Sequence, residues 1–162
     1  MSGGFNLRLI NDNILRLTNE FLDANNWFES GMAYSPVVVI DSPLENEELI
    51  EPNMVAVTLE DIHLSDVEIG STLTDQNITV VIDILAENTS IGIHLSGDLM
   101  VYFQSLYNFS VVDLSQATPS HAFYCDIEGV YMESSGYYES KYKKFARALS
   151  FTVTHTDFSG DL

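Results

Sequence analysis

The chain has 162 residues, 46% of them apolar and 19% charged, which suits one ordinary domain with a sizeable core and excludes disordered, collagen-like and disulfide-scaffold classes. Its 24 carboxylates against 6 lysines and arginines give a formal net charge of −18, so a nucleic-acid backbone or an anionic membrane would repel it. The single cysteine, Cys125, rules out an internal disulfide.

The N-terminus is interrupted by polar residues every two or three positions, whereas a secretory signal needs an apolar stretch of about 7–15. The strongest apolar run, Val37 to Ile40, is far below the roughly 20 residues of a membrane span. The expected setting is therefore a reducing cytoplasm, or an assembly built there, and the Asn-x-Ser/Thr triplets at Asn77, Asn88 and Asn108 read as chance.

Leu7, Ile10, Ile14, Leu17, Phe21 and Leu22 recur at helical spacing and predict a first helix, with Asn6 as its N-cap and Asn25-Asn26 as its end. Trp27 and Phe28 are expected to fold back onto it. A short strand follows at Val37–Ile40. Residues 41–53 hold two prolines and five carboxylates with no base, which reads as an exposed arm because unpaired carboxylates resist burial. Met54 to Ile62 alternates as a strand, 72–76 reads as a turn, and Ile78 to Leu85 is a stronger strand.

A second helix is predicted from Asn88 or Thr89, with Ile91, Leu95, Leu99, Tyr102, Phe103 and Leu106 as its buried stripe. Gly92 and Gly97 each cost it about 1 kcal/mol relative to Ala, which suggests close backbone approach at both. Strands at 109–114, 122–132 and 147–156 finish the chain, the last two flanking a polar hairpin tip at 133–144. The sequence thus predicts one α+β domain over 1–162. Its sheet should be mostly antiparallel, with two helices packed on one face and a long C-terminal hairpin.

Catalytic and metal signatures are weak. His63 with Asp61 and Asp66 is the nearest approach to a metal constellation, but zinc sites draw mainly on His and Cys, so no metal or cofactor is expected. Asp83, inside the strong strand, reads as a hydrogen-bonded sheet residue rather than a catalytic acid, His155 as a half-exposed sheet residue, and Cys125 as an inert core thiol. No nucleophile elbow, phosphate loop, dinucleotide fingerprint or calcium loop is present, and the expectation is that the chain is not an enzyme.

Charge is more informative. From Leu17 to Ser140 there is no Lys or Arg in 124 residues that hold 21 of the 24 carboxylates, whereas four of the six bases cluster at Lys141, Lys143, Lys144 and Arg147. Such segregation suits association in which a basic patch meets an acidic one. Tyr131, Tyr137, Tyr138 and Tyr142 sit in or beside the tip, and exposed tyrosines commonly find a partner. The plainer alternatives are a solvated acidic surface and tyrosines packed on their own sheet.

Ile78 to Asn88, leading into the helix at 91–106, resembles the centre of phage tail-completion proteins, and the segment from Cys125 to His155 is similar to their closing hairpin. The resemblance, to the tail terminators and related neck proteins of tailed bacteriophages, extends through element order over most of the chain. It implies a virion protein assembled in the host cytoplasm: a ring, commonly hexameric, that caps the tail tube and docks the head while DNA passes without specific binding. The implied partners are further copies, the tail tube protein and a head-side connector, with no membrane. On that basis Tyr137, Tyr138, Lys141, Tyr142, Lys143, Lys144 and Arg147 are expected at a subunit or tube interface. Glu45, Glu47, Glu48 and Glu51 are expected on an arm facing the lumen or a neighbouring ring. A rival from another class is an acidic mimic of DNA that inhibits a DNA-binding protein. A second is a metabolic enzyme with a pocket converging on Asp83 or His63.

Overall fold

The computed structural model describes residues 3–41, 52–66, 74–134 and 145–157. Among them are two helices, α1 (Gly3–Ala24) and α2 (Thr89–Ser105). Six strands accompany them: β1 (Val37–Ile40), β2 (Asn53–Asp66), β3 (Thr74–Ala86), β4 (Asn108–Asp113), β5 (Ser120–Ser134) and β6 (Phe145–Asp157). The fold class is α+β, with one mixed sheet in the order β1-β2-β3-β6-β5-β4.

The parallel pair is β1 with β2, in register Val37↔Asn53, and the other four pairs are antiparallel. Helix α2 links β3 to β4 on the far edge, and the chain returns through β5 so that β6 enters beside β3. The β3–β6 pair runs without interruption from Thr74↔Asp157 to Ala86↔Phe145. Strands β5 and β6 pair as expected, while the connecting tip lies outside the described residues.

Register assigns the two faces of the sheet. Val55, Val57, Ile78, Val80, Ile82, Ile84, Leu149, Phe151 and Val153 point to the helices and join α1 and α2 in a single apolar core. Leu9, Ile10, Ile14, Leu17 and Leu22 contribute from α1, and Leu95, Leu99 and Phe103 from α2. Phe103 stacks on Phe151 at 4.8 Å, and burying each such side chain contributes about 1.5–3 kcal/mol.

The end of α1 follows from its two asparagines. Asn26 adopts φ 65°, a left-handed conformation that Asn tolerates better than most residues. The Trp27 amide then donates to Leu22 O at 2.9 Å and the Asn26 amide to Asp23 O at 3.2 Å, closing the last carbonyls in a Schellman arrangement. Trp27 folds back as expected and is buried. The helix begins at Gly3, ahead of the predicted cap at Asn6. Asn88 caps α2, accepting from the Ile91 amide at 2.9 Å.

Three further expectations are corrected. The segment 74–76, read as a turn, is the start of β3, extended by full pairing to β6. His155 is buried rather than half-exposed, stacked on Phe123 with ring centroids 4.0 Å apart. Gly92 and Gly97 also part company. A Cβ on Gly92 would overlap the Phe145 ring, whereas one on Gly97 would meet nothing within 4 Å.

Two buried asparagines tie the layers together. Asn13 donates from Nδ2 to Leu9 O at 2.7 Å and Val112 O at 2.8 Å, and its Oδ1 accepts from the Val112 amide at 3.1 Å and from Arg16, which clamps α1 to β4. Asn53 donates to Ser35 O at 2.8 Å and accepts from the Glu87 amide at 2.9 Å, while the Glu87 carboxylate accepts from the Ser35 amide at 3.1 Å.

These contacts predict opposite signs for one substitution at two positions. Gly92→Ala should destabilise by about 1–3 kcal/mol through overpacking, and Gly97→Ala should stabilise by up to about 1 kcal/mol through helix propensity, read by urea denaturation. Asn13→Ala, which strands the Val112 backbone groups, should cost about 2–4 kcal/mol. Asn19→Ala, at an exposed position, should change stability by less than about 0.5 kcal/mol.

Candidate assembly surface

Strand β5 carries the densest chemistry among the described residues. Its odd positions Cys125 and Ile127 face the core, so Tyr124, Asp126 and Glu128 lie on the sheet face away from the helices. The register then shifts between Glu128 and Tyr131, where Gly129 adopts φ 66°. This bulge reverses the alternation. Met132 now pairs with Leu149 on the helix side, and Tyr131 and Glu133 join the outer face opposite Ser150 and Ala148. One strand thereby presents Tyr124, Asp126, Glu128, Tyr131 and Glu133 together, with the two tyrosines 65% and 51% exposed and the three carboxylates exposed. Such a stripe offers aromatic area and negative charge to a basic partner.

The neighbouring outer face is apolar and small. Met54, Leu85 and Ala146 form a second buried cluster with Ile40 packed against it, and Ala56, Ala148 and Ser150 are buried beside it. Asp83, a possible catalytic acid in the enzyme reading, lies on this face between Ala56 and Ala148. It lines neither of the two cavities described below.

A groove of about 400 Å³ runs along α2, lined by Thr89, Ile93, Gly97, Met100, Met132 and Arg147 among others. Away from the buried stripe of α2, Ile93 is 60% and Val101 65% exposed on either side of Gly97, among the polar side chains of Ser90, His94 and Gln104. A second, smaller recess of about 260 Å³ lies between the end of α1 and the start of α2, lined by Asn25, Trp27, Tyr34, Ser90, Ile91, His94 and Asp98.

Of the residues that the sequence nominated, Arg147 is described. It is exposed on β6, pairs with Ser134 and Ile84, and borders the α2 groove close to where β5 ends. Tyr137, Tyr138, Lys141, Tyr142, Lys143 and Lys144 lie outside the described residues, as do Glu45, Glu47, Glu48 and Glu51. Of the β5 stripe, only Tyr131 stood among the tyrosines the sequence placed beside the tip. The stripe's signal was present as the period-2 spacing of Tyr124, Asp126 and Glu128, but Tyr131 and Glu133 join it only through a bulge.

Among the described residues no group of three or more His, Cys, Asp or Glu could hold a metal ion, and no helix is long and apolar enough to cross a membrane. The side chain of His63 lies outside the described set. His121 meets Ser110 Oγ at 2.6 Å through Nδ1 and tilts against Tyr124. Compared with known protein families and with curated proteins, the chain matches none.

Cys125 is buried in the core, and burial, with Asp126 adding to it, pushes its thiol up to about 12. The folded thiol therefore stays protonated where an unfolded one ionises. The stability this contributes is complete below the unfolded value near 9 and is lost as pH rises toward 12. Between pH 8 and pH 10.5 the wild type should lose about 1–2 kcal/mol more stability than Cys125→Ala in urea titrations. A disulfide thiol reagent should label Cys125 only on unfolding.

Proposed function

We propose that this chain is a structural protein of a tailed-phage neck, a tail-terminator-like subunit that closes into a ring, most simply a hexamer, around a passage for DNA. The observation that carries the reading is the segregation of charge: 124 residues without a base, then four of six bases within seven residues. The order of helix, strands, helix and closing strands supports the same reading, as does the antiparallel pairing of β5 with β6.

In this reading the Tyr/Lys tip of one copy meets the acidic and tyrosine-bearing stripe of β5 on the next. Tyrosine rings supply apolar area to both sides, and ammonium groups neutralise Asp126, Glu128 and Glu133. The remaining carboxylates, including the 41–53 arm, leave the lumen anionic, so a duplex finds few cations that would release its counterions and hold it. Repulsion from the wall reaches about 8 Å at physiological salt. The tail tube and a head-side connector are the further partners.

The acidic DNA-mimic reading fits less well on charge density. The accessible surface of 8611 Å² carries a net −18, about 480 Å² per charge, whereas B-DNA, at one charge per about 1.7 Å of axis and about 10 Å radius, offers on the order of 100 Å².

Mass photometry and negative-stain imaging of the purified protein across concentration test the reading. We expect a closed ring at high protein concentration and low salt. Its assembly midpoint should move to higher concentration between 0.05 and 0.5 M NaCl, because exposed ion pairs are screened. Replacing 135–144 with a Gly-Ser linker, or charge reversal by Glu128→Lys with Glu133→Lys, should each leave a folded monomer. A wild type that stays monomeric at every concentration, or rings indifferent to both variants, would overturn it.

A further inference from the structure

We propose that the recess between the end of α1 and the start of α2 is a binding site for a basic side chain, arginine above all, presented by a protein partner. The site is built rather than incidental. Trp27 is pinned by its amide to Leu22 O and by its carbonyl, which accepts from the Val37 amide at 2.9 Å. Tyr34 tilts against the indole with centroids 4.6 Å apart, and its hydroxyl donates to Asn26 O at 3.1 Å. The adjacent Ser35 is held by the Asn53–Glu87 latch. From α2, the His94 ring stands edge-on to Trp27 at 5.6 Å, and its Nε2 lies 3.5 Å from Asp98 Oδ2.

The lining defines the ligand's chemistry. Tyr34, half-buried and tilted against the buried indole of Trp27, offers a cation an aromatic face, and Asp98, beside His94, supplies the one carboxylate of the described lining. Ile91 offers apolar surface to a methylene stem, and Asn25 and Ser90 offer neutral hydrogen-bonding groups at the rim. Among the described residues the recess holds no Lys or Arg, so the described lining offers an anion no fixed positive partner, and the net charge of −18 raises the local concentration of cations. The volume of about 260 Å³ falls below the roughly 300–1,000 Å³ of small-molecule sites, which suits a single side chain rather than a whole metabolite. A planar guanidinium also stacks on aromatic faces while hydrogen-bonding a carboxylate, which favours arginine over lysine. The site is independent of the ring reading, because a monomer carries it whole.

Trp27 is the chain's single tryptophan, so its emission and indole N–H resonance report on the recess directly. The probes are arginine capped as its N-acetyl N-methylamide, the equally capped and uncharged citrulline, and a capped Gly-Gly-Arg-Gly-Gly peptide. Capped arginine should give a saturable response at least tenfold tighter than citrulline. Asp98→Asn, at a surface position of α2, should weaken arginine at least threefold and leave citrulline unchanged. Tyr34→Leu should weaken arginine similarly. The peptide should bind at least as tightly as the capped residue, which assigns the group to a protein chain. Equal responses to arginine and citrulline, wild-type affinity in Asp98→Asn, or loss of binding in the peptide would each overturn the proposal.

Discussion

The stacking of Phe103 on Phe151 ties the middle of α2 to a central strand, and the apolar core around that contact fixes the rest of the molecule. Because both helices share it with one sheet face, α2 is held so closely that Phe145 occupies the space a side chain at Gly92 would need. Close-packed interiors transmit such constraints, since a core side chain has few alternative rotamers without a void or a clash. The outer face of β5 is free of the helices for the same reason: they are committed to the other side.

Polar groups refine what burial begins. Asn13 fastens α1 to β4, and Asn53 fastens the segment before β1 to the junction of β3 and α2. Both side chains are fully buried, where an unpaired amide would be costly, so each selects one relative placement of the elements it joins. The second latch also sets Tyr34 beside Trp27, and the end of α1 sets Trp27 beside α2. The aromatic recess is thus a product of helix termination and loop anchoring, and owes little to the sheet.

What the sequence discloses depends on whether a feature is periodic. The buried stripes of both helices, the alternation of β3, the capping role of Asn88 and the core placement of Cys125 follow from spacing and residue type. Pairing order does not, because no local signal states that β6 inserts beside β3 or that β1 runs parallel to β2. Asn13 and Asn53 look like ordinary surface amides until the backbone groups they serve come from distant strands. Tyr131 and Glu133 change face only because Gly129 permits a bulge, and a lone glycine in a strand does not announce the direction of the shift. The segregation of charge was fully legible, whereas, Arg147 apart, the residues named for the interface and the arm lie outside the described structure.

The central position of β6 bears on how the chain reaches this state. Until the last strand arrives, β3 exposes an unpaired edge, and the contact between Thr154 and Asn77 closes a loop of 77 residues. Loop closure of that kind is paid in chain entropy before it is rewarded, so folding should fall in the millisecond-to-second range of non-local sheets rather than that of helical bundles. A nascent chain still lacking β6 is a template for strand addition by its neighbours. The base-free stretch from Leu17 to Ser140, made before the last strand, would keep such unfinished chains apart by mutual repulsion.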